Sequence, residues 1–207
     1  MQAEGRVGVI AAATGSVNPL RTLSDGSLVS TISGKYKEAA LSGRIYHVAN
    51  QAAVAVTAAF AATYTGLAVG NPVGSGINMC LINFGYGTTV VGVSVGTVGL
   101  MGGLSALCPI TASLVPQNSM LGGSLSRGTA TGGQTINAVP APTLLRVFGI
   151  TGTGAVTTWQ TQPCNFDIDG QIVIPPGYFV AAYCFALATA ALQFSLAWEE
   201  VPILVGT

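Results

Sequence analysis

From residue 45 to residue 126 the chain contains not one Lys, Arg, Asp or Glu. A surface helix needs a polar, usually charged, face opposite its apolar stripe, and none can be assembled from charge here. Short apolar runs bounded by Gly, Pro and Asn fit strands instead. Residues 77–84 are apolar on both faces, with Ile77, Met79 and Leu81 opposed to Cys80, Ile82 and Phe84. That pattern suits a strand inside a sandwich. Residues 88–98 continue it through Val90, Val91, Val93, Val95 and Val98.

Charged residues make up 7% of the 207-residue chain, against about 25% in an ordinary soluble domain. Disorder pairs high charge with low hydrophobicity, whereas this chain is 50% hydrophobic. The length suits one large all-β domain, or a smaller one with a terminal extension. Either buries a core without a disulfide or metal staple. Thr and Ser must supply most of the polar surface. A lone monomer of net charge +0 with so few charges would self-associate, so neighbours are expected to cover much of it.

The few charges are unevenly placed. Arg6, Arg21, Lys35, Lys37 and Arg44 outnumber Glu4, Asp25 and Glu38, while Asp167, Asp169, Glu199 and Glu200 outnumber Arg127 and Arg146. Nucleic-acid affinity requires many cationic contacts to phosphates, so no direct nucleic-acid partner is expected. Cys80, Cys108, Cys164 and Cys184 show no metal-like spacing and no nearby His. Reduced, buried thiols in a protein made in the cytoplasm are the expectation. The opening residues lead into no sustained apolar run before a cleavage site, so no secretory leader is expected.

Residues 178–198 are uncharged, long enough to span a bilayer and flanked by aromatics. Pro175-Pro176-Gly177 is nevertheless a turn, and Phe179, Val180, Tyr183 and Phe185 favour a strand. Leu192, Phe194, Leu196 and Trp198 then alternate with Gln193, Ser195, Ala197 and Glu199, a period of two. With Ala188-Thr189-Ala190-Ala191 small enough to turn, the expectation is a hairpin and no membrane partner.

Residues 1–27 lack a stable period and carry Asn18-Pro19 and Asp25-Gly26 breakers, which predicts an extended N-terminal arm. Strand-like pieces follow at 28–32, 36–41, 44–49 and 64–69. A Gly/Ser/Thr/Pro-rich stretch at about 99–142 reads as a long loop, contact-making by its length. Strands resume at 144–150, 155–159, 165–168 and 171–174. The whole predicts an all-β fold, a β-sandwich or jelly-roll-like domain over 28–207 behind the arm.

Little supports catalysis. His47, the only histidine, sits in strand-like Tyr46-His47-Val48, and no G-x-S-x-G nucleophile motif accompanies it. Asp167-Ile168-Asp169-Gly170 opens like a calcium loop but meets Ile172, Ile174 and Tyr178 where further ligands are due, so two strand-end carboxylates before a turn are expected. Glu199 and Glu200 should point to opposite faces. Gly74-Ser75-Gly76 lacks the Lys of a phosphate loop. No enzyme activity, cofactor, metal or small-molecule substrate is expected.

Several stretches resemble virion structural proteins of tailed bacteriophages. They are Lys35-Tyr36-Lys37-Glu38-Ala39-Ala40, Gly43-Arg44-Ile45-Tyr46 with Ala49-Asn50-Gln51, and Thr65-Gly66-Leu67 with Asn71-Pro72-Val73-Gly74-Ser75-Gly76. The last are Ile174-Pro175-Pro176-Gly177 and Ser195-Leu196-Ala197-Trp198-Glu199-Glu200-Val201-Pro202. The chain lacks the long spine helix of the major shell protein and is similar in size and character to capsid cement or decoration proteins. The resemblance implies a virion protein on the capsid surface, made in the host bacterial cytoplasm, a homotrimer bound to the major capsid protein. It implies no catalytic residue. The alternative is a β-sandwich binding module of a phage fibre or tail, recognising a receptor or carbohydrate. The candidate capsid contacts are Arg6 and Arg21 of the arm and Arg127 of the Gly-rich stretch.

Overall fold

The computed structural model describes residues 35–52, 54–55, 63–88, 96–104, 110, 113–137, 142–151, 164–185 and 190–203. The chain divides into two compact units, 1–38 and 39–207, and the sandwich lies in the second. The arm expected at 1–27 and the strands expected at 28–32 and 155–159 lie outside the described residues.

Among the described residues a single short helix, α1 (Lys37–Leu41), precedes twelve strands. They are β1 (Ile45–Ala49), β2 (Val54–Ala55), β3 (Thr63–Gly70), β4 (Ile77–Thr88), β5 (Gly96–Leu104) and β6 (Gln117–Asn118). Then come β7 (Thr129–Asn137), β8 (Thr143–Thr151), β9 (Asn165–Asp167), β10 (Val173–Ile174), β11 (Tyr178–Phe185) and β12 (Ala190–Pro202). One sheet runs β10-β4-β12-β1-β6, with β9 also on β4 and β2 on β12; the other runs β7-β3-β11-β5-β8. Every described ladder is antiparallel.

Set aside β2, β6 and β7, and treat β9 and β10 as one interrupted strand. Eight strands remain, the first, eighth, third and sixth in one sheet and the second, seventh, fourth and fifth in the other. This is the jelly-roll order, two interlocked Greek keys. The connection from β5 to β8 adds β6 to one sheet and β7 to the other, so both sheets grow at the same side.

The core forms where the inner faces meet. Leu192, Phe194, Leu196 and Trp198 of β12 are all buried, as the two-residue period requires, with Met79, Leu81 and Phe84 of β4 beside them. Phe148 of β8 closes one flank, its ring 5.0 Å from Phe84 and 4.8 Å from Phe166 of the opposite sheet. Gly99 of β5 sits where a Cβ would lie 2.2 Å from the Arg146 carbonyl. Only glycine lets β5 and β8 approach so closely beside the irregularity in their ladder.

Three expectations are corrected. Residues 36–41 are not a strand. Lys, Glu, Ala and Leu are good helix formers, and the turn ends in a Schellman cap: Gly43 at φ 67° donates to the Ala40 carbonyl and Arg44 to that of Ala39. The stretch 99–142 is not one loop, because it holds the end of β5 and all of β6 and β7. Its Thr and Gly residues pair because β3 and β1 each offer a free edge. The final hairpin is absent as well. β11 lies between β3 and β5 and β12 between β4 and β1, so each has both edges occupied and the two consecutive strands face each other across the core. Among the described residues no helix is long and apolar enough to cross a membrane.

Candidate functional site

Of the three candidate contact residues, Arg6 and Arg21 lie outside the described residues, and Arg127 is exposed. Arg127 stands at one end of the sandwich, where the ladders bring together the start of β1, the β3–β4 turn, the β10–β11 turn and the end of β12. The segment between β6 and β7, which carries Arg127, folds over the same end.

Buried polar side chains hold these segments. The Asn71 amide donates to the Ile77 and Ile174 carbonyls at 2.8 and 2.9 Å, and its oxygen accepts from the Ser75 hydroxyl at 2.6 Å. Asn118 donates to the Gly43 and Ser124 carbonyls and accepts from the Met120 amide. Glu199 and Glu200 do point to opposite sides. Glu199 lies 3.2 Å from the Arg44 guanidinium on the surface. Glu200 is only 7% exposed and accepts from the Ser126 hydroxyl at 2.5 Å and the Arg127 and Gly128 amides at 2.9 and 3.4 Å. Such donors are what make burial of a carboxylate tolerable. The Arg127 side chain in turn donates to the Ser75 carbonyl at 3.1 Å, tying the β5–β8 connection to the β3–β4 turn.

Three turns of one kind form the tip. Ser75 donates to Pro72, Gly123 to Met120 and Tyr178 to Pro175, while Gly74, Gly122 and Gly177 take φ of 79°, 84° and 85°. A one-to-four hydrogen bond with positive φ at the third residue alone is the type II turn, and glycine meets its demand. The second residues, at the apices, are Val73, Leu121 and Pro176. Val73 is 77% and Leu121 89% exposed. Leu41, Met120, Leu125, Val201 and Ile203 are also exposed on the neighbouring segments. Single exposed apolar residues are ordinary; here several stand at the same end of the sandwich on tethered turns.

His47 faces outward from β1, its Nε2 2.5 Å from the Ser119 hydroxyl, and burial lowers its pKa. Among the described residues no carboxylate is bonded to the imidazole, so the pair lacks the acid that orients a triad. Asp169 and Gly170 take φ of 58° and 76° in a tight turn closed by Gln171 donating to Ile168. Asp167 and Asp169 therefore end a strand and enter a turn, and among the described residues no group of three or more His, Cys, Asp or Glu could hold a metal. Among the described residues Cys80, Cys164 and Cys184 form no disulfide. Burial pushes the Cys184 thiol up to about 12. Burial and the Glu199 carboxylate raise that of Cys80.

Sequence reasoning reached Arg127 and the Gly-Pro turns but missed Asn71, Asn118, Glu200 and the apolar apices. Pro-Val-Gly, Met-Leu-Gly and Pro-Pro-Gly were the available signal, each a turn motif with an apolar second residue. The chain matches no protein-family model, none of the curated proteins and no solved structure.

Proposed function

We propose that the chain is a non-enzymatic structural component of a virus particle, a capsid cement or decoration protein of a tailed phage. It assembles as a homotrimer and binds the major capsid protein through the end that carries Arg127. The observation that carries this reading is the set of three type II turns at one end, two of which hold exposed Val73 and Leu121 at their apices while Pro176 of the third is half-buried. Rigid apolar apices lose little entropy on docking, and burying a side chain such as Leu121 contributes about 1.5–3 kcal/mol. The jelly-roll order is compatible with it, since capsid proteins use that architecture, although lectins and cupins do too. Scarcity of charge supports it independently, because a chain with only 7% charged residues suits a subunit covered by its neighbours.

The test is immunogold electron microscopy on particles pelleted from the organism that carries the sequence, with antibody raised against the purified chain. Gold on the shells is expected, with occupancy reduced by Leu121→Glu, which places a charge at the proposed contact. Chain confined to the particle-free supernatant would contradict the proposal.

A further inference from the structure

A trough crosses the outer face of the β10-β4-β12-β1-β6 sheet, away from the end that carries Arg127. Its first hollow, about 570 Å³, is lined by His47, Gln51, Asn83, Ser113, Gln117 and Ser195 with small residues between them. A second hollow of about 610 Å³ continues it over Gly85 and Gly87 to Asn165 and Gln193. The two share Ala49, Asn83 and Ser195, so they form one elongated depression. Among the described residues no Lys, Arg, Asp or Glu lines either hollow. Of the carboxylates on the same sheet, Glu199 is engaged with Arg44 outside the trough, and Asp167 stands opposite Asn83 on the ladder without reaching into it.

The polar groups are available. Gln51 and Gln117 spend their amide nitrogens on the Ala49 and Val115 carbonyls, which leaves both side-chain oxygens facing solvent. Asn83 of β4 and Ser195 of β12 are diagonal on the ladder, where Gly85 faces Ser195 and Ala197 faces Asn83, and the side chain of neither is bonded to another described residue. Ser119 occupies His47 Nε2 and leaves Nδ1. Burial lowers the His47 pKa, which keeps the imidazole neutral near pH 7 and the trough without charge. Leu114 and Val115 supply an apolar wall at one side.

We propose that this trough binds a neutral oligosaccharide. A phosphate, sulfate or carboxylate ligand would find no cation among the lining groups. An extended peptide recognised through its backbone needs a free strand edge, whereas the floor here is the face of paired central strands. Several uncharged donors and acceptors beside a small apolar wall suit hydroxyls and sugar C–H faces. The two joined hollows give room for several sugar units rather than one. No exposed aromatic platform lies in the first hollow, and the Tyr86 ring in the second is stacked on Phe166, so affinity should be weak, with millimolar ligand required for saturation.

The test is an amide-resolved NMR titration of the whole chain with four neutral probes: cellotetraose, maltotetraose, chitotetraose and mannotetraose. At least one is expected to shift resonances at His47, Asn83, Gln117 and Ser195 in a saturable manner. The double substitution Asn83→Ala with Ser195→Ala removes two hydrogen-bonding side chains from positions outside the core and should weaken binding by about tenfold. Ser195→Trp, which fills the trough, should abolish it. The proposal fails if none of the four probes shifts those residues, if the double variant binds as tightly as the parent, or if tetra-alanine competes at the same residues with higher affinity. Its failure leaves the particle-subunit reading intact, because the turns carrying Val73 and Leu121 form a different surface.

Discussion

β11 and β12 are consecutive, uncharged between Tyr178 and Trp198 and rich in aromatics, yet they meet water differently. From Phe179 to Cys184 every residue of β11 is buried. On β12, Leu192, Phe194 and Leu196 are buried while Gln193 and Ser195 are exposed. Both strands are central in their sheets. The difference arises at the outer faces: that of β12 forms the polar trough floor, while β11 is covered on both sides. Alternation is written into a strand only where one face meets solvent; a strand enclosed on both faces loses it.

Substitution by side separates the strands most strongly. Phe194→Ala should cost about 3–5 kcal/mol in urea unfolding, whereas Gln193→Ala, one residue away, should stay within about 0.5 kcal/mol. Equal costs would remove the distinction between the two faces of β12. Farther along the same strand, Glu200→Ala leaves the Ser126 hydroxyl and the Arg127 amide without their carboxylate acceptor, while the Gly128 amide keeps the Ser126 oxygen. A loss of about 1.5–3 kcal/mol is expected, with faster proteolysis near Arg127. On β11, Ala181→Leu has no free side to occupy and should cost about 1–3 kcal/mol through overpacking. A neutral result there would mean that one face of β11 is open.

Thiol chemistry reads the same contrast without unfolding. With its pKa pushed up to about 12 by burial, Cys184 has almost no thiolate at about pH 8 and should resist iodoacetamide until the protein unfolds. A cysteine introduced by Ser195→Cys on exposed β12 should react readily. The smallest effect concerns His47 on β1, beside β12. Its folded pKa is depressed by burial, so the unfolded chain binds the proton more readily. Stability should therefore be full above the ordinary His value and fall slightly as pH drops through it towards the folded value. In His47→Gln that part of the pH dependence should vanish.

What could be read from the sequence follows the same logic. The strands read at 44–49, 64–69 and 77–84, found at 45–49, 63–70 and 77–88, and the buried face of β12 were legible because Gly and Pro mark their ends and apolar runs fill them. Pairing was not, because the small residues at 188–191 suit a hairpin as well as a crossing between sheets, and distant β1, β3, β4 and β5 decide between them. β7 was hidden by its Thr and Gly content, since β3 supplies the pairing that its composition does not announce. The spacing of Glu199 and Glu200 showed that they would point apart, but not that one would clasp the loop at Arg127. That role depends on a segment more than seventy residues away in sequence.

Light scattering on the purified chain, at micromolar concentration and physiological salt, tests whether it is built to be covered by copies of itself. A mass three times that of the 20.8 kDa chain is expected for the wild type, unchanged on dilution within that range. A stable species of single-chain mass under the same conditions would contradict the proposed trimer.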